Sequence, residues 1–316
     1  GIIFSYYHLE KYELFLEEGR KFIKEFKEHS LSKNLQYQIG EYYYSKKDLN
    51  RALESYSYIL NYHPSHEMAD GSLFRIGQIN LLKKDYYKAA VFFKKLFISY
   101  PKSTYLPDAQ FLLGDSFFYM KDYKRALKEY DKFINTYSES SLIPEALFNS
   151  GLILSQNMND QNKAEFYFKK IVEQYPNDSL KFDASLELGL IYKRIKKNED
   201  AVRYLKEASL SKNDIIAAKA HLNLGDVYNS KGNLEKSISH YLKVFYLFSI
   251  QKDLAHLALI KAGDNYKKLG RYKEALTLYK KGIENSKSEE DRRYLGDKIK
   301  DIEKKIESKR SKDEKQ

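Results

Sequence analysis

The chain has 316 residues, 42% of them hydrophobic and 31% charged, and a formal net charge of +11. It contains no cysteine, which excludes disulfides, thiolate metal sites and cysteine nucleophiles. No uninterrupted apolar run reaches the roughly 18 residues that a membrane-spanning helix needs.

In residues 1–30, Tyr6, Tyr12, Phe15, Phe22 and Phe26 recur at spacings suited to helical faces. This stretch reads as a degenerate N-terminal helical unit. The start at Gly1 instead of methionine suggests a processed or trimmed terminus, with room upstream for a removed signal peptide or anchor.

Residues 31–285 are governed by one regularity. Gly40, Gly77, Gly114, Gly151, Gly189, Gly225 and Gly263 are separated by 37, 37, 37, 38, 36 and 38 residues. A period of this size marks stacked supersecondary units that bury their apolar faces only against neighbours. Three residues after the glycine stands a large side chain (Tyr43, Phe117, Leu154, Tyr192, Tyr228, Tyr266), with Asn80 as the exception. A small residue follows at twelve (Ala52, Ala89, Ala126, Ala201, Ser237, Ala275) and another large one at sixteen, from Tyr56 to Tyr279. In the fourth unit both fall one place later, at Ala164 and Phe168, and residues 157–160 are expected to lengthen the turn. The spacing predicts two antiparallel helices per unit, with the glycine marking close passage of the facing helix. All five prolines fall in connections or at helix starts; Pro107 and Pro144 are each followed by an acid, as suits a helix N-terminus.

In residues 286–316, Leu295, Ile299, Ile302 and Ile306 form an apolar stripe in a highly charged segment. A capping helix over the last repeat is expected, with a dimerising seam as the alternative reading. Residues after about Ser308 are expected to be disordered.

The run Phe111-Leu112-Leu113-Gly114-Asp115-Ser116-Phe117-Phe118, then Tyr123 to Ala126, then Tyr130, resembles a tetratricopeptide repeat. The likeness covers about residues 31 to 285. It implies an all-α fold, a right-handed superhelical solenoid of about seven helix pairs with a leading helical segment and a C-terminal capping helix. The long interval and the Tyr100-Pro101-Lys102-Ser103 run, echoed at Tyr175-Pro176, resemble a narrower group. That group is the bacterial envelope repeat proteins of the Tol–Pal-associated coordinator and outer-membrane assembly lipoprotein type. It implies a periplasmic or envelope location, with the cytoplasm as the alternative.

The resemblance also places the first helices on the concave side, with positions three before and one, four and five after each glycine facing a groove. The candidate partner-binding residues are Tyr37, Tyr44, Phe74, Leu81, Phe111, Phe118, Tyr119, Phe148, Lys193, Arg194, Lys267 and Lys268. They run from aromatic in the early units to cationic in the late ones. Of the +11, +7 lies in residues 151–285, where 23 Lys and Arg face 16 Asp and Glu. Packing between helices is the bland alternative for the aromatics. Carboxylate clamping is disfavoured, because Asp115, Asp226 and Asp264 stand where the resemblance expects asparagine.

Nothing in the pattern points to catalysis. No glycine-rich phosphate loop follows a strand pattern, and the seven histidines show no base–nucleophile spacing. His63, His66 and Glu67 surround Pro64 in a connection and read as loop residues rather than a metal site. The expectation is therefore a non-enzymatic protein–protein interaction scaffold in cell-envelope assembly or division, without metal, cofactor or small-molecule substrate. Its partner is a protein or peptide, and membrane association would run through a removed N-terminal anchor. The alternative is a nucleic-acid-binding helical repeat using the basic C-terminal half.

Overall fold

A computed structural model describes residues 2–286 and 288–313. They form seventeen α-helices and one π-helical turn, with no strand among the described residues. The chain divides into two compact units, Gly1–Met158 and Asn159–Gln316. The all-α repeat fold expected from the period is the fold observed.

The first unit contains α1 (Ile2–His8), α2 (Tyr12–Glu25), α3 (Ser30–Ser45), α4 (Leu49–Tyr62), α5 (Ala69–Leu82), α6 (Tyr86–Ser99), α7 (Leu106–Tyr119), α8 (Tyr123–Thr136) and α9 (Ile143–Leu152). The second contains α10 (Gln161–Gln174), α11 (Leu180–Arg194), α12 (Asn198–Ala208), α13 (Asp214–Ser230), α14 (Leu234–Leu247), α15 (Lys252–Lys268), α16 (Tyr272–Asn285) and α17 (Glu289–Asp313). The repeat glycines all lie on odd-numbered helices, from α3 to α15.

The glycine's role is steric. A Cβ built on Gly77 would lie 2.5 Å from the Phe93 ring, and one on Gly225 only 2.3 Å from the Tyr241 ring. The large residue sixteen places on is thus seated against the bare backbone of the preceding helix. The alanines twelve places on are wholly buried, so the two helices of a pair approach closely at both contacts.

Each pair turns in the same way. Seven residues after the glycine the backbone enters the left-handed region, at Lys47, Lys84, Lys121, Lys196, Gly232 and Gly270. In the units starting at α3, α5, α7 and α13 the next residue then caps the second helix. The side chains of Asp48, Asp85, Asp122 and Asn233 accept from the backbone N–H three residues on, at 3.1–3.2 Å. The extra residue of the fourth unit is not spent in this turn, as the sequence reading supposed. It is absorbed before it, in the π-helical turn Ile153–Asn157, where Met158 N–H reaches Ile153 C=O at 3.0 Å. Asn159 then takes the left-handed position and Asp160 the cap, as in the other units.

The ends are covered. Phe15 of α2 is fully buried in a cluster with Leu35 and Ile39 of α3. At the other end Leu295 and Ile302 of α17 are fully buried against Ala275 and Tyr279, with Ile299 and Ile306 half-buried beside them. The helix runs through to Asp313, past Ser308 where disorder was expected; residues 314–316 lie outside the described residues.

Candidate functional site

In the first unit α5 approaches α7, and in the second α11 approaches α13 and α13 approaches α15, so these first helices lie side by side within their own unit. Which side chains that face offers follows from rotation of about 100° per residue. The position three before the glycine lies only about 60° from it, hence on the side that receives the facing helix. Positions one and five after, and two before, point about 100–160° away and look outward.

This corrects part of the sequence expectation. Tyr37, Phe74 and Phe111 are 8%, 4% and 4% exposed and belong to the core. Tyr37 packs on Tyr56 with ring centroids 5.5 Å apart, Phe111 on Tyr130 at 5.7 Å, and Phe74 stacks on Tyr105 at 4.9 Å. They cover the ring seated on the glycine and are not open to a partner. Phe148 is half-buried.

Of the positions four and five after the glycine, the fifth, about 140° away, reaches the face, and the fourth, about 40° away, lies at its margin. Tyr44, Leu81 and Phe118 are half-buried, while Leu82 is 58% and Tyr119 54% exposed. Tyr119 is held flat against Tyr86 at 5.1 Å, and Phe118 meets it edge-on at 5.5 Å. An aromatic fixed in one orientation loses little side-chain entropy on contact, which favours it as a docking residue.

The cationic wall is largely spent inside the second unit. Lys193 pairs with Asp226 at 2.9 Å, Lys267 with Asp301 at 2.5 Å, and Lys268 donates to Asn229 at 3.2 Å. Among the described residues only Arg194 of the four lacks such a partner, and it is exposed. The net positive charge of residues 151–285 is therefore not gathered on this face as a free basic strip.

A repeated polar device on the first helices of both units was not expected from the sequence. Directly after the glycine stand Glu41, Asp115, Asp226 and Asp264, and each accepts from a tyrosine hydroxyl fifteen residues later. The distances are 2.6 Å for Tyr56, 2.5 Å for Tyr130, 2.8 Å for Tyr241 and 2.5 Å for Tyr279. Arg75 closes on Glu41 with two contacts of 2.8 Å, Lys261 on Asp226 at 2.5 Å and Lys298 on Asp264 at 2.5 Å. Burial works against ionisation of Asp226, yet Lys261 and Lys193 hold its carboxyl below the ordinary value. The signal was in the sequence: an acid after the glycine, a tyrosine fifteen on, a cation thirty-four or thirty-five on.

Among the described residues no group of three or more His, Asp and Glu is placed to hold a metal ion. No described helix is long and apolar enough to cross a membrane. His221 and His240 meet at 3.0 Å between their Nδ1 atoms, with Tyr228 stacked on His240 at 5.4 Å. Burial pushes both imidazoles down to about 4, so the pair is neutral and one ring donates to the other.

Comparison with known proteins agrees with this architecture. An outer membrane lipoprotein family (YfiO) matches residues 66–208, and two tetratricopeptide-repeat families match residues 181–245 and 216–288. A tetratricopeptide repeat protein from Parabacteroides merdae is 17% identical, covers 86% of this chain and 99% of its own, and superposes with a TM-score of 0.52. The C-terminal part of a TPR repeat-containing protein from Cytophaga hutchinsonii is 13% identical over 81% of this chain and 97% of its own, with a TM-score of 0.64. PilW, a type IV pilus biogenesis factor, is 19% identical over 72% and 99%, with a TM-score of 0.50. At these identities the structural likenesses speak to fold. No curated protein matches the chain.

Proposed function

The chain is a tetratricopeptide-repeat protein that resembles envelope members of that class, and from this premise we propose what it holds and where. It is a scaffold of the bacterial cell envelope that binds a protein or peptide partner on the face of its first helices. The observation that carries the reading is the edge of apolar side chains left open there. Leu82 and Tyr119 are more than half exposed beside half-buried Tyr44, Leu81 and Phe118, on helices whose packing faces are already filled. Rigid, partly covered aromatics on a preformed surface suit capture of a partner segment. The outer membrane lipoprotein match over residues 66–208 includes Leu81, Leu82, Phe118 and Tyr119, which supports the envelope part of the reading.

The ion pairs of Lys193 and Lys267 engage two of the four cations that read as a basic wall, which favours a protein partner over nucleic acid. The test is site-specific photo-crosslinking in the source cell, followed by fractionation. A photoreactive residue at Tyr119 is expected to give a discrete protein adduct in the envelope fraction. One at exposed Lys95, on second helix α6, is expected to give none. Equal crosslinking from both sites, or adducts confined to the cytosol, would remove the proposal.

A further inference from the structure

The carboxylate–tyrosine–cation device recurs four times, and at one place it is incomplete. Glu41, Asp226 and Asp264 are each met by a cation carried 34 or 35 residues later, Arg75, Lys261 and Lys298. The residue 34 places after Asp115 is Asn149, which lies within hydrogen-bond reach of the Tyr130 hydroxyl instead. Among the described residues no cation comes within ion-pair distance of Asp115, although Tyr130 still donates to it at 2.5 Å. The other charge that acts on Asp115 is that of Glu145, which has the same sign.

The contrast with Asp226 isolates what is missing. Both are partly buried aspartates after a repeat glycine, and both accept a tyrosine hydroxyl. Two lysines keep Asp226 ionised, whereas burial, with Glu145 adding to it, pushes the Asp115 carboxyl up to about 6 against the Tyr130 hydrogen bond.

The rings that accompany the cation elsewhere are also present. Arg75 lies 5.1 Å above Tyr44, Lys261 5.8 Å from Tyr241 and Lys298 5.6 Å from Tyr279. Phe118 occupies the place of Tyr44 relative to its glycine, and Tyr130 that of Tyr241 and Tyr279. Acid and rings stand ready, and only the positive charge is absent. A metal ion is a poor candidate, because a lone carboxylate beside a phenol offers too few ligands.

We propose that Asp115, flanked by Phe118 and Tyr130, is the seat for one lysine or arginine side chain of the partner protein, which completes intermolecularly the pair that the other repeats complete internally. This rests on the interaction-face reading and gives it a chemistry: the bound segment carries a cationic residue where it crosses α7, beside exposed Tyr119. A charged group delivered to a partly buried carboxylate forms a strong, directional hydrogen bond.

Fluorescence anisotropy on the full chain tests it with two labelled peptides, alike except for a central arginine or its neutral isostere citrulline between leucines. The arginine peptide is expected to bind about tenfold more tightly or better, the usual return of a hydrogen bond to a charged group. Asn149→Lys, which restores the chain's own cation at its register position, is expected to erase that preference; Asn149→Gln is expected to keep it. Equal binding of both peptides to the unaltered chain overturns the cation seat and leaves the interaction face standing. A preference that survives in Asn149→Lys overturns its location. Binding of neither peptide, with Tyr119 crosslinks intact, overturns the seat alone; loss of both takes the face with it. Should Asn149→Lys not fold, the carboxyl carbon resonance of Asp115 supplies the readout. N-acetyl-arginine amide is expected to move it and not that of Asp226, and no movement overturns the proposal.

Discussion

A methyl group on Gly225 would sit 2.3 Å from the Tyr241 ring, a ring 1% exposed and tied by its hydroxyl to Asp226 at 2.8 Å. Neither end of that ring has freedom to retreat. Overpacking of this kind costs about 1–3 kcal/mol, against a gain of about 1 kcal/mol in helix propensity. Gly225→Ala is therefore expected to lower the unfolding free energy by up to about 2 kcal/mol in urea titration. Gly296 on α17 is the internal control, with nothing within 4 Å of an added Cβ. Gly296→Ala is expected to raise stability by up to about 1 kcal/mol. If both substitutions stabilise, the ring seat does not explain the glycine.

A helix pair is the next level, and here the sequence conveyed some contacts and concealed others. The Asp and Asn caps and left-handed turn residues are regular in position, yet lysine at a left-handed site is not a recognisable breaker, so the sequence placed the turn without its backbone conformation. The histidine pair bridging α13 and α14 was hidden for a different reason. His221 and His240 are nineteen residues apart, and only antiparallel packing brings them together. Their consequence is a pH dependence of fixed sign. Each has a folded-state pKa lowered to about 4 by burial, below its value in the unfolded chain. The stability they confer is present above about pH 6.5 and is lost as the pH falls from there towards 4. Between pH 7 and pH 5 that shift corresponds to a loss of about 2 kcal/mol per imidazole, which solvent screening of the two partly exposed rings reduces to about 1–2 kcal/mol for the pair. Urea titrations of His240→Gln at the two pH values should show a smaller loss; an unchanged loss would assign the acid sensitivity to other groups.

Over the whole chain, stability is carried by nearest neighbours, since each helix pair is buried only by the pairs beside it. A terminal defect should then remain local. Ile302 is fully buried where α17 covers Ala275 and Tyr279. Ile302→Ala is expected to cost about 2–4 kcal/mol. Hydrogen exchange should accelerate in α15 to α17 and stay unchanged in α3 to α8. Acceleration spread evenly over both units would contradict nearest-neighbour coupling.

The period of the seven glycines, with a small residue at twelve and a large one at sixteen, was sufficient to define paired helices and their order. Those features repeat along the chain and need no knowledge of distant contacts. Which aromatics face outward was not fixed by residue type. Phe111 and Tyr119 look equally suited to a groove, and only their angle from the glycine separates a core ring from an exposed one. The same holds for charge: Lys193 and Lys267 read as a basic wall until folding sets them against Asp226 and Asp301. Composition counts charges, but tertiary structure decides their pairing, because Coulomb energies depend on separations that packing alone sets. That is why Asp115, which shares its place after the glycine with Asp226 and Asp264, is set apart from them by the absence of a cation that three sister repeats supply.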